Sequence, residues 1–194
     1  FYIEQMPSGA IALAMERPEN FKVKLNGHDV DTHKQNGWWV DICFKRIPIK
    51  PAWLVPGRNI IEISAIYHQG IDLEAIYLLG NFGVDVEGTK KTLITLPEKL
   101  VVGDIVMQGL PFYSGRVKYS IPINYTFEDR ERVFLDFEKI NGACIKVFSE
   151  DGSSQIVAWK HYEVDITEHF KHSSRIWVEV VLTRRNTFGP LHQI

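Results

Sequence analysis

The sequence is poor in the features that usually announce chemistry. It holds 2 cysteines in 194 residues, Cys43 and Cys144, so at most one bridge could form and disulfides cannot be the framework of the fold. Each lies in a strand-like apolar run, where a buried free thiol is the expected state. Neither sign of charge dominates: 22 basic residues stand against 24 acidic ones, a net charge of -2. That balance supplies no field to draw the chain onto nucleic acid or anionic lipid. Apolar stretches such as 60–67 and 76–79 fall far short of the roughly 20 residues a membrane helix needs. The opening Phe1-Tyr2-Ile3 has neither an initiator methionine nor a signal-peptide layout, and the chain reads as part of a longer protein.

Catalytic motifs are absent too. There is no phosphate-binding loop, no His-Glu-x-x-His, no Gly-x-Ser-x-Gly and no Cys/His spacing that would hold a metal. The histidines, among them His161, His169, His172 and His192, are scattered and read as surface or turn residues. Glycoside cleavage needs two carboxyl groups about 5 to 9.5 Å apart across a sugar. Glu16, Asp41, Glu62, Asp72, Glu74, Asp104 and Asp165 supply carboxylates, but their spacing selects no pair. Only two facing carboxyls in a deep cleft would argue for an enzyme.

What is present is a succession of short runs rich in Val, Ile, Phe, Tyr and Trp, without a helical period. The runs predict strands over 10–15, 21–25, 38–44, 60–67, 74–79, 117–123, 132–137, 144–148, 156–159 and 176–183. Asn26-Gly27, Asn141-Gly142 and Asp151-Gly152 supply hairpin chemistry, and Pro56-Gly57 and Glu87-Gly88 mark further reversals. Alternation places Val117, Tyr119, Ile121 and Ile123 on a buried face and Lys118, Ser120 and Asn124 on a wet one. Asp165-Ile166-Thr167 can cap a short helical connector over 167–172. The fold expected is all-β, an antiparallel sandwich.

A weak internal repeat divides the chain. Val23-Lys24-Leu25, Asn26-Gly27, Trp38, Ile47-x-Ile49, Trp53 and Ile61-x-Ile63 correspond in order to Ile145-Lys146-Val147, Asp151-Gly152, Trp159, Val164-x-Ile166, Phe170 and Ile176-x-Val178. With the Gly/Lys/Thr-rich stretch 83–100 taken as the junction, the expected units are 1–88 and 89–194.

Several strings resemble the galactose-binding-like jelly-roll domains that accompany bacterial glycoside hydrolases, of the family 2-like and α-L-rhamnosidase-like kinds. They are Val23-x-Leu25-Asn26-Gly27, Trp39-Val40-Asp41, Pro56-Gly57-Arg58-Asn59-x-Ile61, the run 74–84 with its Leu78-Leu79-Gly80-Asn81-Phe82-Gly83, the run 108–115 with its Gly109-Leu110-Pro111-Phe112-Tyr113, Val164-Asp165-Ile166-Thr167, and Arg185-Asn186-x-Phe188-Gly189-Pro190. The resemblance covers nearly the whole chain. It implies two jelly-roll units, the first without its opening strands, in an accessory region whose parent enzyme keeps its catalytic acids in a separate domain. It also implies a periplasmic or extracellular location. The partners expected are carbohydrate or the parent's catalytic domain, with no nucleic acid and no membrane. No cofactor is expected; a structural calcium ion is compatible with such modules, but no loop here nominates ligands.

A sugar-contacting role needs aromatic faces for the pyranose C–H surface, with planar polar groups beside them. Trp38 and Trp39 are adjacent, so in a strand at most one is core and the other is a stacking candidate; the bland reading packs it under the loop 29–37. Phe112 and Tyr113 lie in a Pro/Gly-bounded loop. Trp159 is either a ligand contact or a core residue matching Trp38. Arg185 and Asn186 end a strong strand; the bland reading has Arg185 pairing with a buried carboxylate and Asn186 bonding backbone groups.

Overall fold

The computed structural model describes residues 1–124, 128, 130–168 and 173–189. Most of the expected 167–172 connector, with His169, Phe170, His172 and His192, lies outside the described residues. The chain is all-β and divides into two compact units, Phe1–Phe112 and Tyr113–Ile194.

Unit 1 contains β1 (Tyr2–Ile3), β2 (Ser8–Glu16), β3 (Lys22–Leu25), β4 (His28–Val30), β5 (Trp38–Trp39), β6 (Asp41–Ile49), β7 (Gly57–Arg58), β8 (Ile61–Ser64), β9 (Tyr77–Asn81), β10 (Gly83–Glu87) and β11 (Lys90–Ile94). They form sheets in the orders β5-β6-β2-β9, β4-β3-β8 and β10-β11-β1-β7. Of these pairings only β1 with β11 is parallel. One core joins all three sheets, with Leu13 and Met15 of β2, Val23 and Leu25 of β3, Ile47 of β6, Ile3 of β1 and Leu93 of β11 buried together. Strand β2 lies between two neighbours and buries Ile11, Leu13 and Met15 on one face and Ala12 and Ala14 on the other. Its sequence is therefore an unbroken small-and-large apolar run rather than an alternating one.

Unit 2 contains β12 (Arg116–Pro122), β13 (Phe134–Asp136), β14 (Cys144–Ser149), β15 (Ser154–Val157), β16 (Glu163–Asp165) and β17 (Arg175–Val181). The sheets run β12-β17-β14-β15 and β13-β16, with every pair antiparallel. Ile145, Val147, Val157, Val164, Ile166, Ile176 and Val178 bury against one another between the two sheets. Each unit is a β-sandwich, its core filled by alternate residues of facing sheets.

The unit boundary differs from the one at 88/89 expected from sequence. The stretch 83–100 is not a linker, because β10 and β11 form a hairpin that belongs to unit 1 through the β1–β11 pairing. Gly88, with φ of 57°, is the first of two loop residues and accepts the positive φ such a turn demands. Asn26 and Gly27, with φ of 48° and 81°, turn β3 into β4 in the same way.

The repeat is visible as connectivity. Strand β3 is flanked by its hairpin partner β4 and by β8, and β14 is flanked by its hairpin partner β15 and by β17. Strand β2 pairs with β6, the strand between that hairpin and β8; likewise β13 pairs with β16.

Candidate functional site

The strings that carry the family resemblance turn out to hold the fold together. Asn59 is 2% exposed. Its Nδ2 donates to the carbonyls of Val55 (2.7 Å) and Gly57 (3.0 Å), and its Oδ1 accepts from the Val55 N–H (3.0 Å) and Asn26 Nδ2 (2.8 Å). Asn26 in turn donates to the Trp53 carbonyl (2.8 Å) and accepts the Ile60 N–H (2.9 Å). The Asn-Gly turn and the Pro-Gly-Arg-Asn string are thus two halves of one network in which both side-chain amides are fully used.

Close packing explains the glycines of the other strings. A Cβ on Gly80 would meet Ile11 Cδ1 at 2.5 Å, and one on Gly83 would meet the Thr95 carbonyl at 2.8 Å. Gly109, with φ of 83°, accepts the Val84 N–H at its carbonyl (2.8 Å) and so extends the edge of β10.

Of the expected sugar contacts, Trp38 and Trp39 separate as strand geometry requires. Trp39 packs on Tyr77 (centroids 5.0 Å apart) and edge-on to Phe44 (6.0 Å), while Trp38 is 57% exposed. The parting is sharpened at Val40, whose φ of 61° breaks the register between β5 and β6. Burial, reinforced by the charge of Glu74, raises the Tyr77 phenol above its ordinary value, so it stays protonated in this aromatic cluster.

Trp159 is not a core residue matching Trp38, for it is 83% exposed. The core of unit 2 takes Val157 at the end of β15, and the chain leaves the sheet before Trp159. Tyr113 is a clamp: its hydroxyl donates to the Arg116 carbonyl (3.0 Å) and accepts the Arg116 N–H (3.2 Å), with its ring against Gly115. Phe112 is half-buried. Among the described residues Arg185 pairs with no buried carboxylate; it is exposed in a 3-10 turn, Arg184–Asn186, whose start is capped by Thr183 Oγ1. Asn186 uses its backbone carbonyl, which accepts the Gly189 N–H (3.0 Å). Trp38, Trp39 and Phe112 belong to unit 1, and Tyr113, Trp159, Arg185 and Asn186 to unit 2.

The cysteines also depart from expectation. Both are free, Cys43 exposed and Cys144 half-buried: Cys144 alternates outward from buried Ile145 and Val147, whereas Cys43 shares the side of Ile47 and Ile49 but lies beyond the end of the β2–β6 pairing at Phe44. A hydrogen bond to Asp41 and that residue's charge raise the Cys43 thiol above its ordinary value, which keeps it a poor nucleophile.

Sequence reasoning missed an aromatic surface on the outer face of the β12-β17-β14-β15 sheet. Phe148 of β14 and Trp177 of β17 are register partners and stack with centroids 5.7 Å apart and planes 16° from parallel. Lys118 of β12 places its ammonium 4.7 Å from the Phe148 centroid and 5.0 Å from that of Trp177, and Lys146 lies 5.7 Å from Phe148. Glu179 on the same face pairs with Arg116 at 3.5 Å. Three strands each contribute one or two residues, so no local string reveals the platform. The signal was the alternation of β12, which had already set Lys118 outward.

A second feature is a cleft of about 260 Å³ in unit 1, lined by Met15, Phe21, Ile63 and Ile76 with carboxylates of Glu16, Asp72 and Glu74. Arg17 engages Asp72 (3.7 Å) and donates to the Gly70 carbonyl (3.1 Å). Asp165, by contrast, is structural. Hydrogen bonds from the Thr167 hydroxyl and backbone and from Arg132 hold its carboxyl down at about 2. Among the described residues no group of three or more His, Cys, Asp or Glu gathers as metal ligands, and no helix is long and apolar enough to cross a membrane. Comparison of the chain with protein-family models, with curated proteins and with solved structures finds no match.

Proposed function

We propose that the chain is a non-catalytic accessory region of a larger glycoside hydrolase, built from galactose-binding-like jelly-roll units, which supports the catalytic domain and contacts carbohydrate. The observation that carries this reading is aromatic surface left open on β-sandwich units. Trp38 and Trp159 stand bare, and the half-buried Phe148 and Trp177 form a stacked pair on the outer face of their sheet. Such faces suit the C–H surface of a pyranose, and the ammonium groups of Lys118 and Lys146 beside them suit its hydroxyls. The motif residues already serve the fold, which leaves recognition to these surface aromatics.

A glycan-array screen of the chain tests the reading, repeated with Trp38→Ala, Trp159→Ala and Trp177→Ala after each is shown to fold. A defined glycan is expected to bind, with at least one substitution weakening it about tenfold, the scale of about 1.4 kcal/mol. Absence of binding at millimolar oligosaccharide contradicts the sugar-contacting half of the proposal.

A purely structural role as an interdomain scaffold is favoured by one further observation. Ile66, Tyr67 and Leu73 of unit 1 are all strongly exposed within a short stretch, the kind of apolar surface that a neighbouring domain covers.

A further inference from the structure

We infer that the outer face of the β12-β17-β14-β15 sheet selects acidic sugars, with the ammonium groups of Lys118 and Lys146 receiving the carboxylate of a uronic acid unit whose ring lies on Trp177. The inference rests on the reading above that this face contacts carbohydrate, and it adds the charge of the sugar.

Register supplies the first observation. Lys118 of β12 and Lys146 of β14 both lie directly opposite Glu179 of β17, one on each side of it. A carboxylate between two ammonium groups is the arrangement that cross-strand pairing favours. Glu179 instead pairs with Arg116 at 3.5 Å, its own side chain 21% exposed against 70% for the arginine. Among the described residues neither lysine forms an ion pair. Both ammonium groups turn to the aromatic pair two residues along. Lys118 lies 4.7 Å from the Phe148 centroid and 5.0 Å from that of Trp177, and Lys146 lies 5.7 Å from Phe148.

Two like charges thus converge on one ring pair with their natural counter-ion engaged elsewhere. The ring faces attract an exposed ammonium only weakly and leave the repulsion between the two uncompensated. Arg175 adds a further cation on the same face, where its guanidinium donates to Ser120 Oγ (2.9 Å), the register partner of Trp177. The Glu150 carboxylate, just past β14, accepts from the Ser174 hydroxyl (3.2 Å). The chain as a whole carries a net charge of -2, so the positive field of this face comes from placement rather than from composition.

A uronic acid matches both parts of the face. Its C–H surface stacks on the indole, while its carboxylate, carried on a ring carbon at the rim of that surface, reaches the ammonium groups and forms charge-assisted hydrogen bonds. A neutral hexose has a hydroxymethyl group at the same carbon, which accepts a hydrogen bond but leaves the charges unanswered. Lys118 lies over the half-buried indole; drawn to a carboxylate, it uncovers ring surface for the sugar.

The test titrates the chain with a short galacturonate oligosaccharide, with the methyl ester of the same oligosaccharide, and with a sulfated oligosaccharide of neutral sugars, following the indole N–H signals of Trp38, Trp159 and Trp177. The inference expects the Trp177 signal to shift with the galacturonate at a Kd about fivefold or more below that for the ester, with the gap closing as salt is raised. Lys118→Gln and Lys146→Gln, both on the outer face of the sheet, should each lower that ratio about twofold or more. Equal affinity for acid and ester, or a ratio that neither substitution changes, overturns the inference and leaves the sugar-contact reading standing. Shifts at Trp38 or Trp159 without Trp177 do the same, since the sugar then binds elsewhere. A sulfated oligosaccharide that moves Trp177 at as low a concentration as the galacturonate also overturns it, because charge alone is then being read. If no oligosaccharide moves any of the three signals, the inference and the sugar-contact reading fall together.

Discussion

The β3–β4 and β14–β15 hairpins hold the same place in the two units, yet their turns are fastened differently. In unit 1 the turn residue Asn26 reaches across to Asn59 and Trp53, so the hairpin is tied to the segment that leads into β8. In unit 2 the turn closes on itself, for Asp151 accepts from the hydroxyls of Ser149 and Ser153 and from the Ser153 N–H (2.9 Å), all within five residues. The difference follows from what surrounds the strand that receives each hairpin. Strand β17 is clamped by ladders on both sides, whereas among the described residues β8 has one ladder, and the Asn26–Asn59 network holds its entry. Equivalent topology does not require equivalent polar chemistry, provided each buried group finds a partner.

The largest expected effect breaks the unit 1 tether. Asn59→Ala removes a side chain that is 2% exposed and leaves the Val55 N–H, the Val55 and Gly57 carbonyls and the Asn26 amide without their part-buried partner. It should destabilise unit 1 by about 3 kcal/mol or more while leaving unit 2 unchanged, as read by denaturant titration with amide signals of each unit followed separately. An equal loss in both units would show that they do not fold as independent bodies.

The matching change in unit 2, Asp151→Ala, should cost only about 1 kcal/mol, because water can replace the carboxylate at the exposed Ser153 N–H and the buried Ser149 hydroxyl keeps Ser153 Oγ as a partner. If it matches the Asn59 loss, the contrast between long-range and local fastening fails.

The smallest effect concerns acid. Asp165 is held at about 2 against an ordinary 3.8, chiefly by Thr167 and then by Arg132. A depressed carboxyl contributes stability that is fully present above its ordinary value and is lost as pH falls through the folded value. Unit 2 should therefore weaken between about pH 4 and pH 2. Asp165→Asn should flatten that limb of the stability profile without altering unit 1, which sharpens the comparison by giving unit 2 an acid sensitivity of its own.

All ten expected strand runs hold a strand, because each carries enough β-branched and aromatic residues to signal itself. Those overlooked, β1, β4, β7, β10, β11 and β16, are short, and all but the Tyr-Ile pair of β1 carry polar residues or glycine; a neighbour supplies their pairing. The same limit governs the surface. That Trp38 and Trp39 part was legible from period-two geometry, but the Phe148–Trp177 stack depends on register between strands far apart in sequence. Trp159 is exposed like the Trp38 with which the repeat aligned it, and the core alternative failed because β15 ends at Val157. Asn59 was visible only as part of a family-like string; its burial is decided by the distant Asn26.

The central claim, that open aromatic surfaces on these sandwiches contact carbohydrate, is tested most directly through the indole N–H signals of the 5 tryptophans. In a nitrogen–proton spectrum recorded during titration with oligosaccharides, the account predicts shifts at Trp38, Trp159 or Trp177. Trp39 and Trp53, which pack within unit 1, should stay fixed. If all five remain still while backbone signals of Glu16, Asp72 and Glu74 around the cleft move and the sugar is cleaved, the account is contradicted and the chain is an enzyme.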